Sequence, residues 1–225
     1  MACLGVNMYI PHAFYFSFEG FRKTDWPPTE FYHSPFWPWY RHFADYLARL
    51  SVFGSAGTHV ADACVVQPIL TVQADMFSDG KCVREPEAQQ VFNEVSDLLL
   101  RLHHDYDYVD DSQLARAQVE DGRIRFADSR ETYPCIVLPG CRVMSIAAAR
   151  FLKTLFEAGG RILALGELPA ECDDPEYDEE LKAIVAEVFG PDTDGPGRRH
   201  DGESGGIAVA SCLRGEELQL WLLQT

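Results

Sequence analysis

The sequence has few basic residues and no long apolar segment. Its 19 lysines and arginines stand against 35 aspartates and glutamates, which gives a formal net charge of −16. This charge disfavours nucleic acid and anionic membrane surfaces as partners, because both are polyanions. No apolar run approaches the roughly 20 residues of a membrane-spanning helix, and no secretory signal pattern opens the chain. We therefore expect a cytoplasmic location for the chain as given, or a piece cut from a longer precursor, since a strand-like apolar run begins almost at once.

Common metal-binding and phosphate-binding motifs are also missing. The seven cysteines are scattered, with no C-x-x-C pair and no histidine at zinc spacing, which is typical of reduced thiols. The chain lacks a G-x-x-x-x-G-K-[ST] loop, the spaced glycines of a dinucleotide loop and the D-x-D-x-D-G calcium pattern. The sequence accordingly predicts neither a metal nor a cofactor.

Aromatic residues are concentrated near the N-terminus. Sixteen of the 27 fall within the first 60 positions, where they are interleaved with histidines and carboxylates. Rings with polar edges give large contact areas, and sugar pockets use them as platforms beneath the apolar faces of the ligand. The composition fits a binding segment, and it also fits a loop that packs into a core.

The first 57 residues predict a strand, a long loop and a helix. The apolar run over residues 4–10 predicts a short buried strand, and four prolines exclude a helix from the loop that follows, up to Tyr40. From Arg41 onward, helical spacing of apolar residues predicts a helix that ends near residues 54–57. One face of this helix carries Phe43, Tyr46, Leu47, Leu50 and Phe53. A single βα unit cannot bury its own apolar faces.

Residues 58–225 predict an α/β domain. Apolar runs typical of parallel strands alternate with amphipathic stretches that have helical periodicity. The strands are predicted within 59–70 and at 106–110, 135–138, 161–165, 207–211 and 218–223, and the helices at 86–102, 145–158 and 177–189. Ser145 is the expected N-cap of the second helix. The alternation predicts an open, mostly parallel, Rossmann or flavodoxin-like sheet.

Three segments between these elements carry further predictions. Asp121-Gly122 between two β-type runs predicts a tight hairpin inserted at an edge. Residues 192–206 are rich in glycine and charge and predict a flexible loop. Acidic residues at 105–111 predict a solvated strand edge rather than a cation site.

Candidate substrate-binding residues lie in the aromatic segment. In a TIM barrel the loop after each strand lines the ligand site, and a barrel-like strand before His12 would place His12 and Tyr15 there. A purely structural role for His12 in holding the loop is equally compatible with the sequence. Glu30 offers a carboxyl group for hydroxyl binding or acid–base chemistry, although nothing ranks it above the neighbouring carboxylates. Trp26 completes the set, and no catalytic residue is assigned.

Two other functions remain open at this point. The first is a free-standing flavodoxin-like module that binds a small molecule at the ends of its strands. The second is a hydrolase that uses Cys141 as its nucleophile, with His200 and Glu203 as partners. Val143 stands where a nucleophile elbow requires a small residue, so an inert thiol is the favoured interpretation of Cys141.

Several segments resemble large bacterial α-L-rhamnosidase-like glycoside hydrolases. Gly5-Val-Asn-Met-Tyr-Ile-Pro-His-Ala-Phe-Tyr and Ala44-Asp-Tyr-Leu-Ala-Arg-Leu-Ser look like the end of the catalytic barrel of that family. Ala61-Asp-Ala-Cys-Val-Val-Gln-Pro and Tyr133-Pro-Cys-Ile-Val-Leu-Pro-Gly look like the class I glutamine amidotransferase-like α/β domain that follows the barrel. The resemblance covers residues from about 5 to about 190.

The resemblance implies that the chain is a glycoside hydrolase fragment with carbohydrate as its ligand. Residues 1–57 would be the terminal βα unit and aromatic loop of a truncated TIM barrel, and residues 58–225 an amidotransferase-like accessory domain. The catalytic acid and base of the family come from earlier barrel strands that this chain does not contain. The second domain lacks both the cysteine elbow and the His-x-Glu of working amidotransferases. We therefore expect the chain to be inactive alone, and an exposed aromatic surface would favour self-association.

Overall fold

The computed structural model describes residues 1–12, 14–23, 29–76, 87–127, 129–191 and 198–211. The chain divides into two units, residues 1–59 and residues 60–225. Trp26 and the strand predicted at 218–223 lie outside the described residues. Within the described part of the chain, no helix combines the length and the apolar character needed to cross a membrane.

The start of the first unit is not the predicted buried strand. Ala2–Leu4 form a 3-10 turn, Gly5 ends it at φ 89°, and residues 6–10 have no regular structure. Leu4, Met8 and Ile10 each expose more than two thirds of their surface. A strand needs a neighbouring strand to satisfy its backbone groups, and the described part of this unit offers none. The strand prediction for residues 4–10 is therefore wrong for this chain.

The predicted helix of the first unit is confirmed. Helix α1 is Tyr40–Ser55, and it follows a 3-10 turn at Trp37–Trp39. None of its residues is buried, and Phe53 is 84% exposed. Helices in proteins gain most of their stability from packing the apolar face, and in α1 the rings of Phe43, Tyr46 and Phe53 on that face are exposed.

The second unit is built from short strands and helices that alternate along the chain. The strands are β1 (Ala63–Val66), β2 (Tyr106–Val109), β3 (Gln118–Glu120), β4 (Arg123–Arg125), β5 (Thr132–Tyr133), β6 (Cys135–Pro139), β7 (Val143–Met144), β8 (Arg161–Leu165), β9 (Glu171–Cys172), β10 (Arg198–Asp201) and β11 (Ile207–Ser211). The helices are α2 (Ile69–Ala74), α3 (Glu87–Arg101), α4 (Asp111–Leu114), α5 (Ile146–Glu157) and α6 (Asp178–Phe189). The Ser145 side chain caps α5 as predicted, because its hydroxyl accepts a hydrogen bond from the Ala148 N–H.

Six of these strands form the central sheet, in the order β10–β11–β8–β6–β1–β2. Every neighbouring pair is parallel except β10 and β11. Helix α3 packs on one face through Val91, Val95 and Leu98. Helices α5 and α6 pack on the other through Leu152, Leu155, Leu181 and Ile184. Burial on both faces explains the apolar runs in the sequence and confirms the predicted α/β class with a mostly parallel sheet.

The inserted hairpin is confirmed, whereas the predicted flexible loop is partly wrong. Strands β3 and β4 pair around Asp121 and Gly122, both at positive φ, and β5 extends them into a small antiparallel sheet. Within the segment predicted as a loop over 192–206, Arg198–Asp201 instead form β10 at the sheet edge. Its charged sequence has no strand character of its own, and pairing with β11 supplies the hydrogen bonds that hold it extended. Residues 192–197 lie outside the described part of the chain.

Candidate functional site

Aromatic rings of the first unit pack on one another. Phe14 makes edge-to-face contacts with Phe31, Trp37 and Tyr40 at centroid distances of 5.9, 6.4 and 5.7 Å. Trp37 and Tyr40 are stacked at 5.5 Å. Arrangements of this kind are the favourable ones for aromatic pairs. The rings therefore orient each other, although many of them stay partly exposed.

A buried threonine ties this aromatic segment together. Thr29 is only 7% exposed. Its hydroxyl oxygen accepts hydrogen bonds from the backbone N–H groups of Tyr15, at 3.1 Å, and Phe31, at 3.2 Å. Two stretches of chain that are 16 residues apart are thus held side by side by hydrogen bonds from the backbone to one side chain.

The same segment forms a cavity, which we call the aromatic pocket. It has a volume of about 350 Å³ and is lined by Glu30, Ser34, Phe36, Trp39, Tyr40 and Phe43. The Tyr40 hydroxyl donates a hydrogen bond to the Glu30 carboxylate at 3.0 Å. Burial and this carboxylate raise the pKa of Tyr40, so the phenol keeps its proton and goes on orienting Glu30. Trp39 is 64% exposed, which leaves its ring open to a ligand.

Of the described candidate residues from the sequence, one lines the aromatic pocket and two lie outside it. Glu30 lines the aromatic pocket. Tyr15 is half-buried and bonded to Thr29 through its backbone, and His12 is exposed; neither lines the pocket. Trp26 lies outside the described residues. The candidates are therefore not brought together into one site by the described part of the chain.

The remaining pocket residues were not anticipated from the sequence. Phe36, Trp39, Tyr40 and Phe43 have the spacing i, i+3, i+4, i+7, which puts side chains on one face of a helical stretch. That aromatic stripe was the available signal, and it runs into the start of α1.

A second cavity lies in the second unit, and we call it the hairpin cavity. It has a volume of about 410 Å³ and lies beside the antiparallel sheet; its lining includes Asp107, Gln113, Arg116, Phe126, Glu131 and Tyr133. The Tyr133 hydroxyl is 2.9 Å from the Asp107 carboxylate and 2.9 Å from the Glu131 carboxylate. Burial, together with these two carboxylates, raises the pKa of Tyr133 strongly, so it stays a phenol.

Asp107 and Glu131 are oxygen donors of the type that Ca²⁺ and Mg²⁺ prefer. By themselves they do not make up the six to eight or so oxygen ligands of a calcium site, and no cation is assigned to them. The sequence placed Asp107 on a solvated strand edge, and in the structure it is half-buried and bonded to Tyr133. That part of the prediction is corrected for Asp107, because the Tyr133 side chain on β5 reaches its carboxylate.

No protein-family model matches the chain, and no curated protein matches its sequence. Among solved structures, the rhamnosidase from Novosphingobium sp. PP1Y is similar at a TM-score of 0.51 and 22% identity, over 84% of this chain and 16% of that one. A catalytic mutant of Gan42B, a GH42 β-galactosidase from G. stearothermophilus, is similar at 0.52 and 11% identity, over 82% of this chain and 32% of that one.

The likeness is one of fold. The chain is similar to parts of glycoside hydrolases and spans a third or less of the length of each. It supports the α/β class with a mostly parallel sheet.

Cys141 does not have the surroundings of a nucleophile. It is 2% exposed, and its thiol lies 3.8 Å from the Pro139 carbonyl oxygen. Burial raises the pKa of this thiol, whereas a reactive cysteine needs a lowered pKa and solvent access. The inert-thiol interpretation agrees with this environment.

The proposed partner of that cysteine is also held elsewhere. His200 lies on β10, three strands from β6 in the sheet order, which is roughly 14 Å at about 4.8 Å per strand. Its Nδ1 is 2.8 Å from the Val188 carbonyl oxygen, and its ring stacks on Phe156 at 5.4 Å. The Cys141 hydrolase alternative is therefore not assembled in this structure.

Close packing fills the place, beyond the carboxyl ends of the parallel strands, where α/β folds bind ligands. The chain order of the strands reverses between β1 and β6, and ligands of doubly wound sheets bind beyond the strand ends there. Gly140 follows β6 at φ +61°, and a Cβ on it would lie 2.9 Å from the Ala88 Cα in α3. The nearby Arg142 is paired with Asp75 and Glu171 at 2.7 and 2.6 Å. This packing argues against a flavodoxin-like ligand site between β1 and β6.

Proposed function

We propose that the chain is part of a carbohydrate-active glycoside hydrolase and that its first unit contributes one rim of the sugar site. The aromatic pocket carries this proposal, because an open indole ring lies beside a carboxylate. A sugar packs an apolar C–H face on such a ring, and its hydroxyls donate hydrogen bonds to the carboxylate. The sequence resemblance to the end of an α-L-rhamnosidase-like barrel and the fold likeness to glycoside hydrolases support the same proposal.

We assign residues 1–57 to the terminal βα unit of a TIM barrel, in which residues 4–10 would form a strand only beside the neighbouring strands of a complete barrel wall. The uncovered apolar face of α1 supports it, because such a face would pack against the rest of a barrel wall. Glu30 then contacts the sugar, with His12, Tyr15 and Trp26 as further substrate contacts. In the isolated chain the same face would drive self-association, which sedimentation at increasing concentration measures.

We assign residues 58–225 to a non-catalytic accessory domain of flavodoxin-like, amidotransferase-like type. In chain order the five parallel strands lie as 2-1-3-4-5, which is the flavodoxin-like order. The buried thiol of Cys141 supports a role without covalent chemistry. A free-standing ligand-binding module of the same fold is the weaker candidate, because Gly140 and Ala88 are in close contact at the end of β6.

Binding of L-rhamnose to the full chain tests the proposed rim. Chemical shifts of the Trp39 indole N–H should move on titration with the sugar, with millimolar affinity. Glu30→Gln removes one charge-assisted hydrogen bond and should weaken binding by about tenfold. Trp39→Ala removes the stacking surface and should weaken binding by a similar factor. Because this variant has no indole at position 39, the backbone amides of Ser34 and Phe36 report its binding. Phe53→Ala removes another exposed ring, one that does not line the pocket, and should leave affinity unchanged.

Two outcomes would contradict the proposal. One is rhamnose binding with the same affinity in Trp39→Ala and in the unsubstituted chain. The other is release of phenol from an aryl α-L-rhamnoside at a rate that depends on the protein, because this would show a catalytic pair within these residues. We expect the chain to release no phenol beyond the uncatalysed rate.

A further inference from the structure

We propose that the hairpin cavity of the second unit is a binding site for a neutral polyhydroxylated ligand of saccharide type. This site is separate from the aromatic pocket, and its residues all belong to residues 60–225. The proposal does not depend on the assignment of the first unit to a glycosidase barrel.

The size and walls of the cavity are those of a small-molecule site. Its volume of about 410 Å³ falls within the common range for such sites, roughly 300–1,000 Å³. Phe126 and Tyr133 meet in an edge-to-face contact at 5.8 Å and supply an aromatic wall. Rings of this kind accept the C–H face of a sugar.

Hydrogen-bonding groups converge on this cavity from three directions. Asp107 comes from β2, Gln113 and Arg116 come from α4 and the turn after it, and Glu131 comes from the segment before β5. The Tyr133 hydroxyl lies between the two carboxylates, and the Ser129 hydroxyl also donates to Glu131 at 3.3 Å. A carboxylate accepts up to about four hydrogen bonds, and a pair of neighbouring ligand hydroxyls supplies suitable donors.

The charge of the cavity favours a neutral ligand. Asp107 and Glu131 disfavour carboxylates and phosphates, because like charges repel in a partly enclosed site. Arg116 brings a positive charge to the same cavity and disfavours a simple cation. The guanidinium donates hydrogen bonds, and so does the Gln113 amide, whereas the carboxylates accept them. A molecule with several hydroxyls meets both kinds of group without introducing a charge.

The cavity also has a fixed frame. Asp110 and Gln113 form a capping box at the start of α4, with the Gln113 N–H donating to Asp110 at 2.8 Å and the Asp110 N–H donating to Gln113 at 2.9 Å. Arg123 on β4 donates to the Thr132 hydroxyl at 2.9 Å and so joins β4 to β5. Bonds of this kind hold the polar groups in position before a ligand arrives, which lowers the entropy that binding costs.

The experiment is an amide chemical-shift titration of the ¹⁵N-labelled full chain with L-rhamnose, D-galactose and D-mannose. At least one sugar should shift the amides of Gln113, Ser129 and Glu131. Glu131→Gln keeps the size of the side chain and removes its charge, and it should weaken binding at these amides by about tenfold. Glu176→Gln changes an exposed carboxylate of the same unit outside the cavity and should change nothing.

A cross-control separates this proposal from the sugar site of the first unit. Trp39→Ala should leave the shifts at Gln113, Ser129 and Glu131 intact, whatever it does to the aromatic pocket. The proposal is overturned if none of the three sugars shifts these amides, if Glu131→Gln binds as tightly as the unsubstituted chain, or if Trp39→Ala abolishes the shifts. Binding of D-galactosamine without binding of D-galactose would also overturn it, because the site would then select a cation.

Discussion

At the scale of single residues, Thr29 links two stretches of the aromatic segment in the first unit. Its buried hydroxyl oxygen accepts hydrogen bonds from two backbone N–H groups. Thr29→Val keeps the shape of the side chain and removes this acceptor, and an unmade buried hydrogen bond costs about 1–3 kcal/mol. We expect faster hydrogen exchange at the amides of Tyr15 and Phe31 and earlier thermal loss of the near-UV signal of the aromatic cluster.

Thr29→Ser is the matched control, because it retains the hydroxyl and should keep slow exchange at both amides. Equal exchange rates in Thr29→Val and the unsubstituted chain would mean that these two hydrogen bonds do not hold the segment. Unchanged amides in the second unit serve as an internal reference in the same sample.

At the scale of secondary-structure elements, the contact between Gly140 and Ala88 fixes α3 over the end of β6. Gly140→Ala adds a methyl group 2.9 Å from a backbone carbon and also forces an alanine to φ +61°. Positive φ alone costs about 1–2 kcal/mol. We expect a larger loss of the free energy of unfolding than this, measured by urea denaturation.

Gly205→Ala isolates the backbone part of that effect. Gly205 lies at φ +87° with nothing within 4 Å of its added Cβ, so only the conformational cost applies. The difference between the two variants is the cost of crowding α3. If both lose the same stability, helix α3 moves aside easily and the closed state of this strand end is not fixed by packing.

At the scale of the whole molecule, buried thiols predict a loss of stability at alkaline pH. Burial raises the pKa of Cys135 to about 12, and it also raises the pKa of Cys64 and Cys141. In the unfolded chain these thiols ionise near a pH of about 8.5. In the folded state these thiols keep their protons to a higher pH than in the unfolded chain. The free energy of unfolding is therefore fully present below a pH of about 8.5 and falls above it, by about 1.4 kcal/mol per pH unit for each thiol.

Urea unfolding under reducing conditions measures this loss. The midpoint should be lower near a pH of about 10 than near a pH of about 7.5. Cys141→Ala should lower the free energy of unfolding at both pH values. It should also make the difference in stability between the two pH values smaller, by the contribution of one thiol. A midpoint that stays constant with pH would show that the thiols ionise equally in both states.

The second unit could largely be predicted from its sequence, because local signals and the fold agree there. The apolar stripe from Val91 to Leu99, the Ser145 cap and the Asp121-Gly122 turn each specify a local conformation that the sheet also requires. Edge strand β10 escaped prediction because its side chains are charged and its extended form depends on β11.

The first unit shows the opposite case. Residues 4–10 have the composition of a buried strand, and yet a strand is stabilised by a neighbour that the described part of this unit does not supply. Glu30 lines the aromatic pocket, and its role in substrate binding stays a prediction. His12 and Tyr15 were placed by analogy with a barrel, and the described residues do not bring them to that pocket.

The sequence alone determined which segments become helices and buried strands in the second unit, because periodicity and caps act over a few residues. Only the tertiary structure decided where polar groups converge. Asp107, Glu131 and Tyr133 come from two edges of the fold and meet through hydrogen bonds of 2.9 Å. Such a meeting depends on strand order and on the position of an inserted hairpin, and neither is encoded in the local pattern of residues.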